Sequence, residues 1–181
     1  MLEKSDRIDE AEYVVITPIC NFCAKTGVLC KKCKQKLRKK KITQLDVDVS
    51  IAFAKAEQRF PKQLQNVTLD RAQQLNGSIV LLTRNGYNIL ENEEIRHFIE
   101  DEIKKPIEIV ERKSDTRKTF ADFFAPLDIL EIDQIFAPPE GDIELKITLR
   151  GDPALLRFPL DQLKQIAEMI SKNPVRLEIQ N

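Results

Sequence analysis

The chain has no tryptophan, two tyrosines, one histidine and only five glycines in 181 residues. Each scarcity removes a class of function. Five glycines supply neither a G-x-x-x-x-G-K-[ST] loop nor a G-x-G-x-x-G turn, so the backbone cradles that enzymes build around nucleotide phosphates are missing. His97 has no nucleophile beside it in sequence and sits in a charged helical stretch, which reads as a surface position. Paired acids such as Asp101-Glu102 read as a solvated helix face. With no Ser/His/Asp or Cys/His constellation that spacing supports, a nonenzymatic protein is expected. No eighteen apolar residues run together, which argues against a membrane-spanning helix and a membrane partner. The opening MLEKSDRIDEAE lacks the apolar centre of a signal peptide, so a cytoplasmic protein is expected, in a compartment where disulfides are disfavoured.

What is present is unevenly distributed. The net charge of zero sums two unlike parts: residues 1–45 carry eleven Lys/Arg against five Asp/Glu, and residues 46–181 carry eighteen against twenty-four. One end is built for an anionic partner, the other is mildly acidic.

The basic end also holds all four cysteines. Cys20, Cys23, Cys30 and Cys33 read C-x2-C-x6-C-x2-C, two knuckles that can each offer two thiolates to one ion. A tetrahedral Zn²⁺ site wants four such ligands at about 2.3 Å. Lys25, Lys31, Lys32 and Lys34 lie beside the thiols, where positive charge favours thiolate and offsets the negative charge of a four-thiolate site. Four ligands close the coordination sphere, so one structural zinc ion is expected, holding a segment too small to fold alone. An iron-sulfur cluster and four unliganded thiols are the alternatives.

Eight of the eleven residues from Lys31 to Lys41 are basic: Lys31, Lys32, Lys34, Lys36, Arg38, Lys39, Lys40 and Lys41. On a short helix leaving the second knuckle they form a positive surface suited to RNA phosphates, or else a solvated, self-repelling segment. Without interleaved aromatics there is no stacking platform, so contact should be salt-sensitive and not base-specific.

From Thr43 the apolar spacing turns helical through Leu45, Val49, Ala52, Phe53, Ala56 and Phe60, with Thr43 as N-cap and Pro61 as stop, although LDVDVSI also alternates like a strand. Strands are expected at 67–73 and 78–83 around an Asn76-Gly77 turn, then a short turn or helix, a helix over about 93–104 and a strand at 107–110. Asn85-Gly86 reads as a simple turn, or as a backbone contact to phosphate with Arg84 nearby. RKSDTRK, residues 112–118, is polar and opens an expected linker over 112–124, and FADFFAPL reads as an interdomain contact. The final third repeats strand, strand, helix, strand: 130–137 and 143–150 around the turn PPEG, an amphipathic helix through Leu160 and Ile170, and 175–179. Arg150-Gly151-Asp152 ends a strand. The fold class is α+β.

The segments TPICNFCAKTGVLCKKCKQKL and ITQLDVDVSIAFAKAEQRF together resemble an archaeal family of zinc-binding, KH-domain proteins, the NusA-like transcription factors. The resemblance implies a zinc-binding segment ahead of a type II KH-like module, which fits residues 1–43, with their basic helix, and 44–111; the linker over 112–124 and the further α+β module over 125–181 are read from the residues themselves. The resemblance also implies RNA or ribonucleoprotein binding in transcription or translation; docking on RNA polymerase, the ribosome or an RNA-processing complex without direct RNA recognition is the alternative. One departure bears on mechanism. KH domains clamp the nucleic acid backbone with a G-x-x-G loop, and the aligned positions here are Leu90-Glu91-Asn92-Glu93, without either glycine and with Glu91, Glu93 and Glu94 to repel phosphate.

Overall fold

The computed structural model describes residues 15–137 and 142–180; the charged leader 1–12 and the PPEG turn lie outside them. Two short helices, α1 (Asn21–Thr26) and α2 (Lys31–Arg38), carry the cysteines, and a long helix α3 (Gln44–Arg59) follows. Then come β1 (Thr68–Leu75), β2 (Ser78–Arg84), α4 (Tyr87–Glu91), α5 (Glu93–Ile103) and β3 (Ile107–Glu111). The last third contains α6 (Thr116–Phe124), β4 (Asp128–Ala137), β5 (Asp142–Arg150), α7 (Leu160–Ser171) and β6 (Val175–Gln180). The expected α+β class is observed. Among the described residues, no helix is long and apolar enough to cross a membrane.

Among the described residues the strands make two three-stranded sheets of like design. In each, a hairpin is followed by a crossover that returns a third strand parallel to the second, giving the orders β1-β2-β3 and β4-β5-β6. Asn76, with φ 26°, and Gly77, with φ 93°, turn the first hairpin, where Leu75 pairs with Ser78.

α3 explains why LDVDVSI looks like a strand. Thr43 and Asp46 form a capping box that starts the helix at Gln44. The helix then buries two faces. Val49, Phe53 and Ala56 join Leu69, Ile79, Leu81, Ile95, Ile99 and Ile107 in a core over one face of the first sheet. Val47 and Ala54 pack against Ile19, Cys23, Ala24, Cys33 and Ile42 of the cysteine segment. Alternation arises because a helix covered on both sides places apolar residues at i and i+2 as well as i and i+4.

The linker expected over 112–124 carries a helix, α6, at Thr116–Phe124. Asp115 accepts the Arg117 N–H at 2.8 Å and caps α6, whose Phe120 and Phe124 are fully buried. They join Leu75, Val80, Leu82 and Val110 from the back of the first sheet to Leu145, Ile147, Leu149, Leu163, Ile166 and Val175. One shared core therefore lies between the two sheets, filled by α6 and α7. Burial on both sides accounts for the unbroken apolar run Ile79-Val80-Leu81-Leu82 in β2. FADFFAPL is thus a contact between the two halves, as its aromatics suggest.

Candidate metal centre and nucleic-acid interface

Both cysteine pairs are built the same way. Cys20 is the N-cap of α1 and Cys30 the N-cap of α2, each in extended conformation, so Cys23 and Cys33 fall at the third helical position and turn back toward their own caps. Gly27, in the left-handed region at φ 71°, ends α1 and lets the chain reverse toward the second knuckle. The two knuckles are cross-linked by backbone donors: the Cys30 N–H donates to Cys23 Sγ at 3.1 Å, and the Cys20 N–H to Cys33 Sγ at 3.5 Å. The four sulfurs lie within 4.8 Å of one another, with Cys20 and Cys23 at 3.3 Å and Cys20 and Cys30 at 4.0 Å. Bonds of about 2.3 Å to a tetrahedral ion place sulfurs about 3.8 Å apart. The four-cysteine group can therefore hold a metal ion, and all four expected ligands are brought together.

The thiols differ in environment. Cys23 and Cys33 are buried, Cys30 is half-buried and Cys20 is exposed. Burial pushes the Cys23 thiol up to about 12 and raises Cys33 as well. Cys30 is pulled down to about 6, first by the backbone N–H of Cys33 and then by the Cys23 thiol. The neighbouring lysines, expected to favour thiolate, are not what tunes Cys30; hydrogen bonds within the cluster are. A metal cation held by the four sulfurs would supply the charge that lets buried thiolates persist.

The arm from Lys31 to Lys41 extends from this centre. Cys33 and Leu37 face inward, while Lys31, Lys32, Lys34, Lys36, Arg38, Lys39, Lys40 and Lys41 are all exposed. None of the eight pairs with a carboxylate among the described residues. Lys36 ties the arm to the segment before α1 by donating from Nζ to the Pro18 carbonyl at 2.9 Å.

Sequence reasoning did not single out the joint between arm and sheet. Asp46 is fully buried; its Oδ2 accepts from the Thr43 N–H at 2.7 Å, and its Oδ1 accepts the Ala72 N–H of β1, also at 2.7 Å. Arg71 lies 3.8 Å from the same carboxylate and donates to the Lys41 carbonyl. The signal available was the Thr-x-x-Asp capping pattern, which marks a helix start but not a strand-edge contact.

The positions aligned with the G-x-x-G loop form the junction of α4 and α5. The Asn92 side chain accepts from the Glu94 and Ile95 N–H groups, and Glu93 and Glu94 occupy the first turn of α5. Those donors are thus taken and the surroundings are acidic. Nor does Gly86 offer its backbone to phosphate: its N–H donates to Glu111 Oε2 at 2.9 Å, the oxygen that also accepts from Thr83 Oγ1 at 3.0 Å. The simple-turn reading of Asn85-Gly86 holds. His97 is exposed, as expected.

No family model matches the chain, and no curated protein matches it. Among solved structures, the crystal structure of APE1850 is similar with a TM-score of 0.51 and 15% identity, covering 70% of this chain and 96% of that one. This likeness extends to the fold.

Proposed function

We propose that this chain is a nonenzymatic, zinc-containing RNA- or ribonucleoprotein-associated factor that contacts RNA through the basic arm Lys31–Lys41. The observation that carries the reading is the arm itself: eight exposed cations, unpaired with carboxylates among the described residues, projecting from a four-cysteine centre that fixes their direction. Zinc is the ion that best suits four thiolates with no open coordination position. The order α3, β1, β2, α4, α5, β3 supports reading residues 44–111 as a type II KH-like scaffold whose usual clamp is replaced by an acidic, capped helix start. The similarity to the NusA-like family supports a role in archaeal transcription or translation. The second reading, an adaptor docking on RNA polymerase, the ribosome or an RNA-processing complex, is favoured by Phe22 and Val28, both exposed on the cysteine segment. Binding of the zinc-loaded chain to mixed cellular RNA over a salt series decides between them. Affinity that falls steeply with salt and disappears when Lys36, Arg38 and Lys39 are neutralised together supports RNA contact; binding unchanged by that variant sinks it.

A further inference from the structure

A groove of about 950 Å³ separates the basic arm from the C-terminal end of α7, with β1 along its base. Leu45 and Met169, both half-buried, and the exposed Pro174 give it accessible apolar surface, beside Gln73 and Gln74 of β1. Its walls carry six cations from four stretches of chain: Lys36, Lys40 and Lys41 of the arm, Arg71 of β1, Arg112 after β3, and Lys172 at the C-cap of α7. The two carboxylates in the wall are ion-paired, Asp70 with Arg112 and Glu168 with Lys164, and Arg71 is paired with Asp46, which leaves the four lysines of the wall without a carboxylate among the described residues. Asp70 also pairs with Arg84, and Glu168 also accepts the Val175 N–H at 3.2 Å. Lys40 and Lys172 sit in the left-handed region, at φ 53° and 63°, where a glycine would cost less. Both lie at helix C-termini, of α2 and α7, where the helix dipole favours a cation, and both line the same groove.

We propose that this groove is a track for single-stranded RNA, with phosphates on Lys40, Lys41 and Lys172 and base faces against Leu45, Met169 and Pro174. The proposal rests on the reading of the arm as an RNA contact and extends it to a site that only the C-terminal half completes. A single strand combines a regular anionic backbone with exposed apolar faces, which matches cationic walls beside accessible apolar surface. A duplex hides its base faces and would meet only the walls.

The test uses the full zinc-loaded chain and a labelled oligouridylate, with an RNA duplex and a polyglutamate peptide as comparison ligands. A groove variant, Lys41→Gln with Lys172→Gln, is set beside an arm variant, Lys31→Gln with Lys32→Gln and Lys34→Gln. The groove variant should bind the single strand about tenfold more weakly near physiological salt, with a salt slope smaller by about 1.4, since each phosphate contact on a single strand contributes about 0.7. Duplex binding should change less, and Lys41→Arg with Lys172→Arg should restore single-strand binding, which a folding defect would not permit. If the groove variant binds oligouridylate like the wild type while the arm variant loses it, the groove proposal is overturned and the arm reading stands. If the wild type binds no RNA, both fall. Polyglutamate bound as tightly as oligouridylate, and lost in the groove variant, overturns the proposal in favour of an acidic protein segment.

Discussion

The backbone N–H of Cys30 donates to the sulfur of Cys23 at 3.1 Å, which ties the cap of one helix to the third position of the other. The Cys20 N–H makes the matching donation to Cys33. Both helices thus aim their positive ends and two backbone donors at the sulfurs, an arrangement that stabilises thiolate. One ion per chain is expected, and Co²⁺ in its place should give the absorption of a tetrahedral four-thiolate site. Chelation should strip amide-exchange protection from Asn21–Arg38 while β2 stays protected, because β2 lies in cores that do not include the cysteines. Unchanged protection of α1 and α2 after chelation would contradict a structural ion.

Metal affinity should climb with pH. Burial holds Cys23 up to about 12 and raises Cys33, so at neutral pH an incoming ion displaces a proton from each, whereas Cys30, pulled down to about 6, is already largely ionised. Two displaced protons make affinity rise at least about a hundredfold per pH unit around neutrality. In the metal-free chain the sign reverses. A thiol raised by folding stabilises the fold below its ordinary value of 9.0, and that contribution is lost as pH rises toward about 12. Competition with a chromophoric chelator across the neutral range measures the slope; a flat profile would refute the assignment.

The metal centre was legible because thiolate geometry dictates spacing, and paired knuckles leave that spacing in the sequence. Most elements were legible from apolar period and turn residues. The helix α6 was not, because RKSDTRK is polar throughout and its anchors come only at Phe120 and Phe124; Asp115 as cap and the four-residue aromatic spacing were the available signs. The burial of Asp46 against β1 was hidden for a different reason. Its partner, the Ala72 N–H, is twenty-six residues away, and no local pattern records a backbone group left over at a strand edge.

Asp46→Ala should destabilise the chain by about 2 to 4 kcal/mol. The substitution removes the acceptor for the Thr43 and Ala72 N–H groups and leaves Arg71 without its carboxylate. Urea unfolding should show a lower midpoint. Asp46→Asn keeps acceptor capacity at one oxygen and should recover part of the loss. Equal stability of Asp46→Ala and wild type would remove Asp46 as the joint between arm and sheet.

At Gly86 the constraint is space, since φ is an ordinary −85°. An added Cβ would stand 2.3 Å from Thr83 Oγ1, which is itself held by Glu111. Gly86→Ala should therefore cost about 1 to 3 kcal/mol. Thr83→Ala removes the clashing oxygen, so the double variant should lose less stability than the sum of the two single changes. Strict additivity in urea unfolding would place the cost of Gly86→Ala elsewhere.

The core between the sheets predicts how the chain unfolds. Val80, Leu82 and Val110 on the back of the first sheet are covered by Phe120, Phe124 and the apolar face of α7, so neither half closes its own core. A chain ending at Glu111 would expose those side chains to water, each worth about 1.5 to 3 kcal/mol when fully buried. It should lose cooperative unfolding or associate through the uncovered face, whereas the full chain should unfold in one transition followed identically by probes in either half. Phe124→Ala in the full chain, costing about 3 to 5 kcal/mol, should lower that transition for β2 and β5 together. Two separate transitions, with β2 unaffected by Phe124→Ala, would show instead that the halves stand alone and that α6 is the linker its polarity suggested.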